Sequence, residues 1–438
     1  MIIKFGTDGI RGPVESQITP EVCLKIGHAS GLVLKDMGWE TVLIGKDTRV
    51  SGYMLESALQ AGFIAAGVNV RLLGPLPTPG VAYLTRSLRN QFGLVISASH
   101  NNYLDNGIKL FDGNGEKIPK EAEIKIEKLL AGELKPVQTA ELGKAQRFDE
   151  SGDRYIEFCK STVPPDVSFD SLRIVLDCAN GACYKVSPSI FRELGAEVIS
   201  IGTEPDGYNI NYECGSTHPE NVQEEVIKQR ADFGIALDGD GDRVVLIDRN
   251  GRILDGDDIM YILAYANPNR TGPWSGIVGT AMSNFGFEEA VKKLGYRFVR
   301  ADVGDKNVNQ MLKKEGWMLG GEPSGHIICR DLVSTGDGTI AALKVISSLL
   351  ILEKDPDDVL QNYTKMPQIN INVDVSNKDI LSDTQIQQKI KEIESDLTIK
   401  RILVRASGTE RKIRIMIESD DEACAIKYAT DIANMLKK

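Results

Sequence analysis

The sequence predicts an α/β protein: three similar α/β domains with mixed sheets, plus a smaller C-terminal α+β domain, around a central cleft. Three observations carry this. A strand, helix, glycine, strand plan recurs three times, and the last segment departs from it. The chain of 438 residues also exceeds what one hydrophobic core holds.

The first repeat runs from Val42-Leu43-Ile44 through a helix with Met54, Leu55, Ala58, Leu59 and Phe63 on one face, to Gly67 and Val68-Asn69-Val70. The second runs from Ile174-Val175-Leu176 through Ile190-Phe191 to Gly195 and Val198-Ile199. The third runs from Ile277-Val278 through Phe287, Ala290, Val291 and Leu294 to Gly295 and Phe298-Val299. Two strands joined by a crossover helix make a βαβ unit, so the repeats imply parallel or mixed sheets covered by helices. The glycine after each helix suits a left-handed C-terminal cap. In the tail, Ile402-Leu403-Val404 and Ile413-Arg414-Ile415-Met416-Ile417 flank a polar loop, and a helix follows from about Asp421 to Leu436. Turn-forming residues near Ser151-Gly152, Asn250-Gly251 and Met366-Pro367 place the domains at 1–152, 153–251, 252–366 and 367–438.

A formal net charge of −11 argues against a nucleic-acid partner, so an anionic ligand must be met by basic residues gathered in a site. The N-terminus carries no signal-peptide pattern. The apolar run Ile340 to Leu352, interrupted by Lys344, is too short to span a bilayer and reads as a buried helix. Seven scattered cysteines, odd in number and without a C-x-x-C pair, point to free thiols in a reducing compartment. The expectation is a cytoplasmic protein without membrane contact.

Four loops carry chemistry. Asp238-Gly239-Asp240-Gly241-Asp242-Arg243 follows the apolar Phe233–Leu237. Two carboxylates ~5 Å apart at an effective dielectric of ~20 repel by roughly 3 kcal/mol, and a hard divalent cation removes that cost. A calcium EF-hand fails, because its glycine and closing glutamate are here Arg243 and Arg249. Arg243 argues for a phosphate beside the metal. The second loop is Ser97-Ala98-Ser99-His100-Asn101, after the strand-like Gly93–Ile96. A hydroxyl at a strand end suits a nucleophile. It is a poor serine hydrolase, since adjacent Ser and His rarely face each other and no G-x-S-x-G elbow surrounds them. Asn106-Gly107-Ile108-Lys109 follows and brings a basic side chain back to the loop. The third, Gly321-Glu322-Pro323-Ser324-Gly325-His326, offers acceptors and donors suited to sugar hydroxyls, with His326 able to move protons near neutral pH. In the fourth, Arg405-Ala406-Ser407-Gly408-Thr409-Glu410 with Arg414, hydroxyls, loop N–H groups and two guanidiniums form a phosphate cradle.

With Gly6-Thr7-Asp8-Gly9-Ile10-Arg11-Gly12 and Gly45-Lys46-Asp47-Thr48-Arg49, these loops resemble the α-D-phosphohexomutases over essentially the whole chain. The segment Asn209–His218 is similar to the glucosamine-specific branch. The resemblance implies interconversion of glucosamine 6-phosphate and glucosamine 1-phosphate through a 1,6-bisphosphate, which also serves as primer. It implies that Ser99 is carried as phosphoserine, and that Mg²⁺ is bound by Ser99, Asp238, Asp240 and Asp242. Arg11, Lys109 and Arg243 would line the reacting end, with Lys109 and His326 as proton-transfer candidates, and His100 is the further catalytic residue it implies. Arg243, Glu322, Ser324 and Lys306 are the substrate-binding residues it implies. Arg405, Ser407, Gly408, Thr409 and Arg414 would grip the phosphate that is not reacting. The partner expected is a small phosphosugar, with a homodimer as candidate assembly. Asn102, Pro323, Lys306, Ala406, Arg411 and Lys412 depart from the family pattern. Lys306 for arginine keeps charge but loses bidentate geometry, and Pro323 bears on the choice of sugar. A phosphomannomutase or phosphoglucomutase, a metal-dependent sugar phosphatase and a silent sugar-phosphate sensor stay open as alternatives.

Overall fold

Thr41–Lys46 is buried along almost its whole length because it pairs in parallel with both Asn69–Pro75 and Gln91–Ile96, leaving no free edge. That trio is the centre of a six-stranded sheet in the computed structural model, which describes residues 3–6, 8–89, 91–407 and 411–437. From Gln91–Ile96 the chain turns back into Asp105–Phe111, which runs antiparallel and pairs in turn with Ile10–Pro13. The second sheet repeats the plan: Arg173–Asp177 lies parallel to Glu197–Ile201 and Phe233–Leu237, and Val244–Asp248 returns antiparallel. In the third, Gly276–Thr280 lies parallel to Arg297–Ala301 and Leu319–Gly321, and Ile327–Cys329 returns antiparallel. These are the mixed sheets expected from the three repeats.

The glycines after the repeat helices do take positive φ: +77° at Gly67, +102° at Gly195 and +94° at Gly295. The first repeat's helix, Ser51–Ala65, corrects one detail. Its buried stripe is Gly52, Leu55, Leu59, Gly62 and Phe63, while Met54 is exposed. Met54 and Leu55 lie 100° apart around a helix, so the stripe centred on Leu55 and Leu59 turns Met54 outward. Gly62 belongs to the stripe because a Cβ there would come 2.2 Å from the Leu24 carbonyl of the neighbouring helix Pro20–Asp36. The apolar run expected to be a buried helix is Gly338–Leu352, buried along most of its length. No helix among the described residues is long and apolar enough to cross a membrane.

The chain divides into two compact units, Met1–Met282 with Tyr296–Val359, and Ser283–Gly295 with Leu360–Lys438. The first holds the three mixed sheets. In the second, Gln368–Asp374, Lys412–Ser419 and Ile399–Ala406 make an antiparallel sheet whose apolar face packs with the helices Thr384–Glu394 and Glu422–Leu436. The strand Gln368–Asp374 and the helix Thr384–Glu394 are additions to what the sequence reading placed there.

Candidate active site

All three chemical loops of the first unit occupy one topological position, the reversal from parallel ladder to antiparallel return strand. Ser99 lies between the pair Ile96–Ile108 and the tip, the aspartates beyond Leu237–Val244, and Glu322 to His326 beyond Gly321–Ile327. Ligand sites in open α/β sheets favour the carboxyl ends of strands, where backbone groups leave the ladder.

The loops meet. Ser99 Oγ donates to Asp238 Oδ2 at 2.6 Å, and the Val244 N–H beside the aspartates donates to the Gly325 carbonyl at 3.1 Å. Ser99 Oγ is also 3.4 Å from His100 Nδ1, so these neighbours approach each other, contrary to the expectation for adjacent Ser and His. Asp238, Asp240 and Asp242 are all buried, and each presents an oxygen within 4.8 Å of the others. Thr78, opening a helix of the first sheet, donates its hydroxyl to Asp240 Oδ2.

The electrostatics are those of a cation site. Burial, then repulsion from Asp242 and Asp240, pushes the Asp238 carboxyl well up. For Asp242 burial acts the same way, but Lys109 and then His326 outweigh it and hold the group well below the usual carboxylate range. Lys109 Nζ lies 2.7 Å from Asp240 Oδ2, 3.1 Å from Asp242 Oδ2 and 3.1 Å from Asp8 Oδ2. Burial works against its charge, but the three carboxylates raise it well above the ordinary lysine value, so it is an ammonium. Burial alone would raise the Asp8 carboxyl. Lys109, Lys117 and Arg11 reverse that and keep it ionised. The donor set fits a hard divalent cation. Its oxygens converge, an ammonium already bridges two of them, and Asp240 Oδ1 is buried without a hydrogen-bond partner among the described residues. Asp242 Oδ1 has His326 Nδ1 at 3.7 Å and Arg243 Nε at 3.9 Å, both beyond hydrogen-bond length.

Arg11 bonds Asp8, yet its Nε and that of Arg243 are buried with no hydrogen-bond partner among the described residues. Both guanidiniums act on His100. Burial first, then Arg243 and Arg11, lowers that ring to about 4, so it is neutral near pH 7. Buried guanidinium donors left unmatched among the described residues, acting on the histidine next to Ser99, suit an anion site. His326 is buried, and its Nε2 accepts the Gly336 N–H at 3.1 Å, which places the ring proton on Nδ1 facing Asp242. Burial opposes a charge on this ring, and Asp242 nevertheless raises its pKa. Glu322 is buried and accepts the Gly304 N–H at 3.0 Å, while Ser324 is exposed. Lys306 Nζ pairs with Glu123 at 2.7 Å.

In the second unit, Arg405 and Arg414 stand directly opposite each other on neighbouring strands. The Ser407 N–H donates to the Lys412 carbonyl at 2.8 Å, closing the hairpin. Gly408 and Thr409 lie outside the described residues. Sequence reasoning assigned no role to Asp8, Thr78, Lys117 or Asp305. Asp8 sat in plain view inside Gly6–Gly12, whereas Lys117, which bridges Asp8 and Asp305, carried no motif signal.

The chain matches four family models in order: phosphoglucomutase/phosphomannomutase alpha/beta/alpha domain I over residues 3–136, domain II over 153–251, domain III over 255–366 and the C-terminal domain over 370–435. It is 51% identical over 439 residues to a protein of Cellvibrio japonicus named phosphoglucosamine mutase, covering 99% of this chain and 98% of that one. A phosphoglucomutase/phosphomannomutase family protein from Burkholderia thailandensis has the same fold, with a TM-score of 0.82 at 23% identity over 100% of this chain and 98% of that one. An Aspergillus fumigatus N-acetylphosphoglucosamine mutase, solved with GlcNAc-6P and magnesium, superposes with a TM-score of 0.71 at 19% identity, covering 99% of this chain and 95% of that one. With all four domain models matched in order along nearly its entire length, this chain belongs to the phosphoglucomutase/phosphomannomutase family, the α-D-phosphohexomutases.

Proposed function

We propose that the chain interconverts glucosamine 6-phosphate and glucosamine 1-phosphate, with Ser99 carrying the transferred phosphate and a sugar 1,6-bisphosphate as primer and intermediate. The carrying observation is the 2.6 Å contact of Ser99 Oγ with Asp238 inside a buried three-carboxylate cluster. A serine that only bound sugar would have no need of that cluster. The substrate follows the name borne by relatives about half identical over the full chain.

Asp238, Asp240 and Asp242, with the phosphate on Ser99, would hold Mg²⁺. Bound there, the cation supplies charge neutralisation to the serine phosphate. The chain's own groups do the rest. The partnerless Nε donors of Arg11 and Arg243 hold the transferring phosphate's oxygens. Neutral His100 adds no charge beside the hydroxyl. Lys109 offsets negative charge, and it reaches proton-transfer competence only when its carboxylates are otherwise engaged. His326, held by the Gly336 N–H with its Nδ1 turned toward Asp242, favours that carboxylate's charge and is the second proton-transfer candidate. Glu322, Ser324 and Lys306 meet the sugar. Arg405, Ser407, Gly408, Thr409 and Arg414 bind its other phosphate. The phosphoryl group passes from Ser99 Oγ to the free sugar hydroxyl: the Ser99 O–P bond breaks as the sugar O–P bond forms. The hydroxyl proton is passed, by way of a proton-transfer group, to the freed Ser99 oxygen. The resulting bisphosphate returns its other phosphoryl group to Ser99.

The test is intact-protein mass and turnover. Incubation with a hexose 1,6-bisphosphate adds one phosphate to the wild type and none to Ser99→Ala, and Ser99→Ala loses nearly all turnover. Steady release of inorganic phosphate would instead identify a phosphatase. A kcat/KM favouring mannose 6-phosphate over glucosamine 6-phosphate would overturn the sugar assignment. The reading includes a cytoplasmic location, supported by seven free cysteines, and a homodimer, which a monomer mass by light scattering would refute.

A further inference from the structure

Ser99 has a backbone φ of +53°, a left-handed conformation that residues with a Cβ avoid unless their surroundings enforce it. What enforces it is unusual. The carbonyls of Ser99 and Asn101 accept no backbone hydrogen bond among the described residues; two side chains from distant segments hold both. Arg49 Nη2 donates to the Ser99 carbonyl at 3.0 Å and to the Asn101 carbonyl at 2.8 Å. Asn211 Nδ2 donates to the same two carbonyls at 2.8 Å and 2.9 Å. Each carbonyl therefore has both lone pairs filled by the same two side chains.

The rest of the surroundings serve this arrangement. Arg49 is fully buried and uses every guanidinium donor: Nε on Asp47 Oδ2 at 2.7 Å, and Nη1 on the Asn102 and Asp105 carbonyls. Asp47 also accepts from Ser97 Oγ at 2.6 Å, and Ser97 Oγ accepts the Ser99 N–H at 2.9 Å. Asn211, itself at φ +56°, is buried inside the Asn209–His218 segment. Gly239, between the first two aspartates, gives it room. A Cβ there would fall 2.7 Å from both Asn211 Nδ2 and the Ser99 carbonyl. Segments around residues 49, 99, 211 and 239 thus converge on one carbonyl, which fixes the peptide plane from which the Ser99 side chain departs.

We propose that Arg49 and Asn211 are positioning residues for Ser99: a two-armed carbonyl clamp that holds the serine in its left-handed conformation, with Oγ directed at the aspartate cluster. This rests on the reading of Ser99 as the phosphate carrier, and it gives the Asn209–His218 segment a mechanical role. Neither residue touches the reacting atoms. Releasing either arm lets the serine relax, and misplacement by about 1 Å costs about 10²-fold in rate.

Two variants isolate the clamp. Asn211→Gly keeps a residue at ease with positive φ and deletes only the amide. Arg49→Lys keeps the buried charge and loses the fork. Both should lower kcat about 10²-fold while KM for glucosamine 6-phosphate stays within about threefold and the thermal midpoint of Asn211→Gly stays near wild type. Phosphate transfer from hexose 1,6-bisphosphate to Ser99, followed by intact mass, should slow by the same factor. If Arg49→Lys does not fold, Asn211→Gly decides alone. A wild-type kcat in Asn211→Gly, or a rise in KM without a fall in kcat, overturns the clamp. Ser99→Ala separates the two readings. If that variant is inactive while Asn211→Gly is normal, the clamp alone fails; if it keeps its turnover, the carrier reading fails.

Discussion

Ser99 Oγ and Asp238 Oδ2 meet at 2.6 Å, although the two residues sit 139 positions apart and at the ends of different sheets. Burial, then Asp242 and Asp240, push the Asp238 carboxyl well up toward the protonated form. Arg243 and the Ser99 hydroxyl offset only part of that push, and a bound cation would offset more. Asp238→Ala should therefore lose at least about 10²-fold in kcat and weaken Mn²⁺ or Mg²⁺ binding, while the thermal midpoint in chelator stays level or rises. Calorimetric metal titration and melting curves with and without chelator check this. A clear drop in the chelated midpoint would contradict it.

Lys109 is the counterweight. Removing one member of a buried ion pair leaves the other charges unmatched and costs about 3–5 kcal/mol. Lys109→Met takes the ammonium from Asp240 and Asp242, while Asp8 keeps Lys117 and Arg11, so its unfolding free energy should fall by that order. Added Mg²⁺ should restore more stability to Lys109→Met than it adds to the wild type. Urea titrations at two Mg²⁺ concentrations read both effects.

Asp337 caps the helix Gly338–Leu352 through the Ile340 N–H and accepts the Tyr155 hydroxyl at 2.9 Å. Burial raises its carboxyl from 3.8 to about 7, against the opposing pull of those hydrogen bonds. The folded protein thus keeps a proton that the unfolded chain loses near pH 4. Stability contributed here falls as pH climbs from about 4 to 7, by up to about 4 kcal/mol, and the loss is complete above that. Asp337→Asn should flatten this part of the profile, so the gap between variant and wild type should move in the variant's favour from pH 5 to pH 8. A parallel pair of profiles would refute the assignment.

Arg405 faces Arg414 across the antiparallel ladder, where like charges directly opposite are destabilising. On the proposed assignment, a phosphate bound between them would reverse the sign of that interaction. Arg414→Ala should raise KM for the sugar phosphate by about 10- to 100-fold, as expected for a lost charge-assisted hydrogen bond, with kcat changed by less than about threefold. Sulfate should protect the wild-type hairpin from hydrogen exchange and protect the variant less.

Much of this was legible because it is periodic. The parallel pairs around Thr41–Lys46, Arg173–Asp177 and Gly276–Thr280 come from apolar runs separated by one amphipathic helix each, with a glycine marking each helix end. The strand Gln368–Asp374 was also readable, since isoleucine and asparagine alternate along it with period two, but a polar face makes a weak signal. The partners were not readable. Thr78 reaches Asp240, and Lys306 turns to Glu123, over separations of 162 and 183 residues that no local pattern encodes. Met54 was misplaced for a simpler reason. A helical stripe read without its glycines is drawn too wide: Gly52 and Gly62 are both buried members of it, and Gly62 is the one that sits tight against the neighbouring helix.

The placement of three loops at one topological point has a consequence for inheritance. On the proposed assignment, labour is divided by sheet: nucleophile on the first, cation on the second, sugar on the third. Each task sits on a hairpin tip that can vary without disturbing the strands beneath. Sugar preference is then free to drift through Pro323 and Ser324, while Gly325, locked against the Val244 carbonyl, keeps the third tip in step with the second. On that division, substitutions confined to the third tip would change sugar preference and leave Ser99 and the aspartates in place.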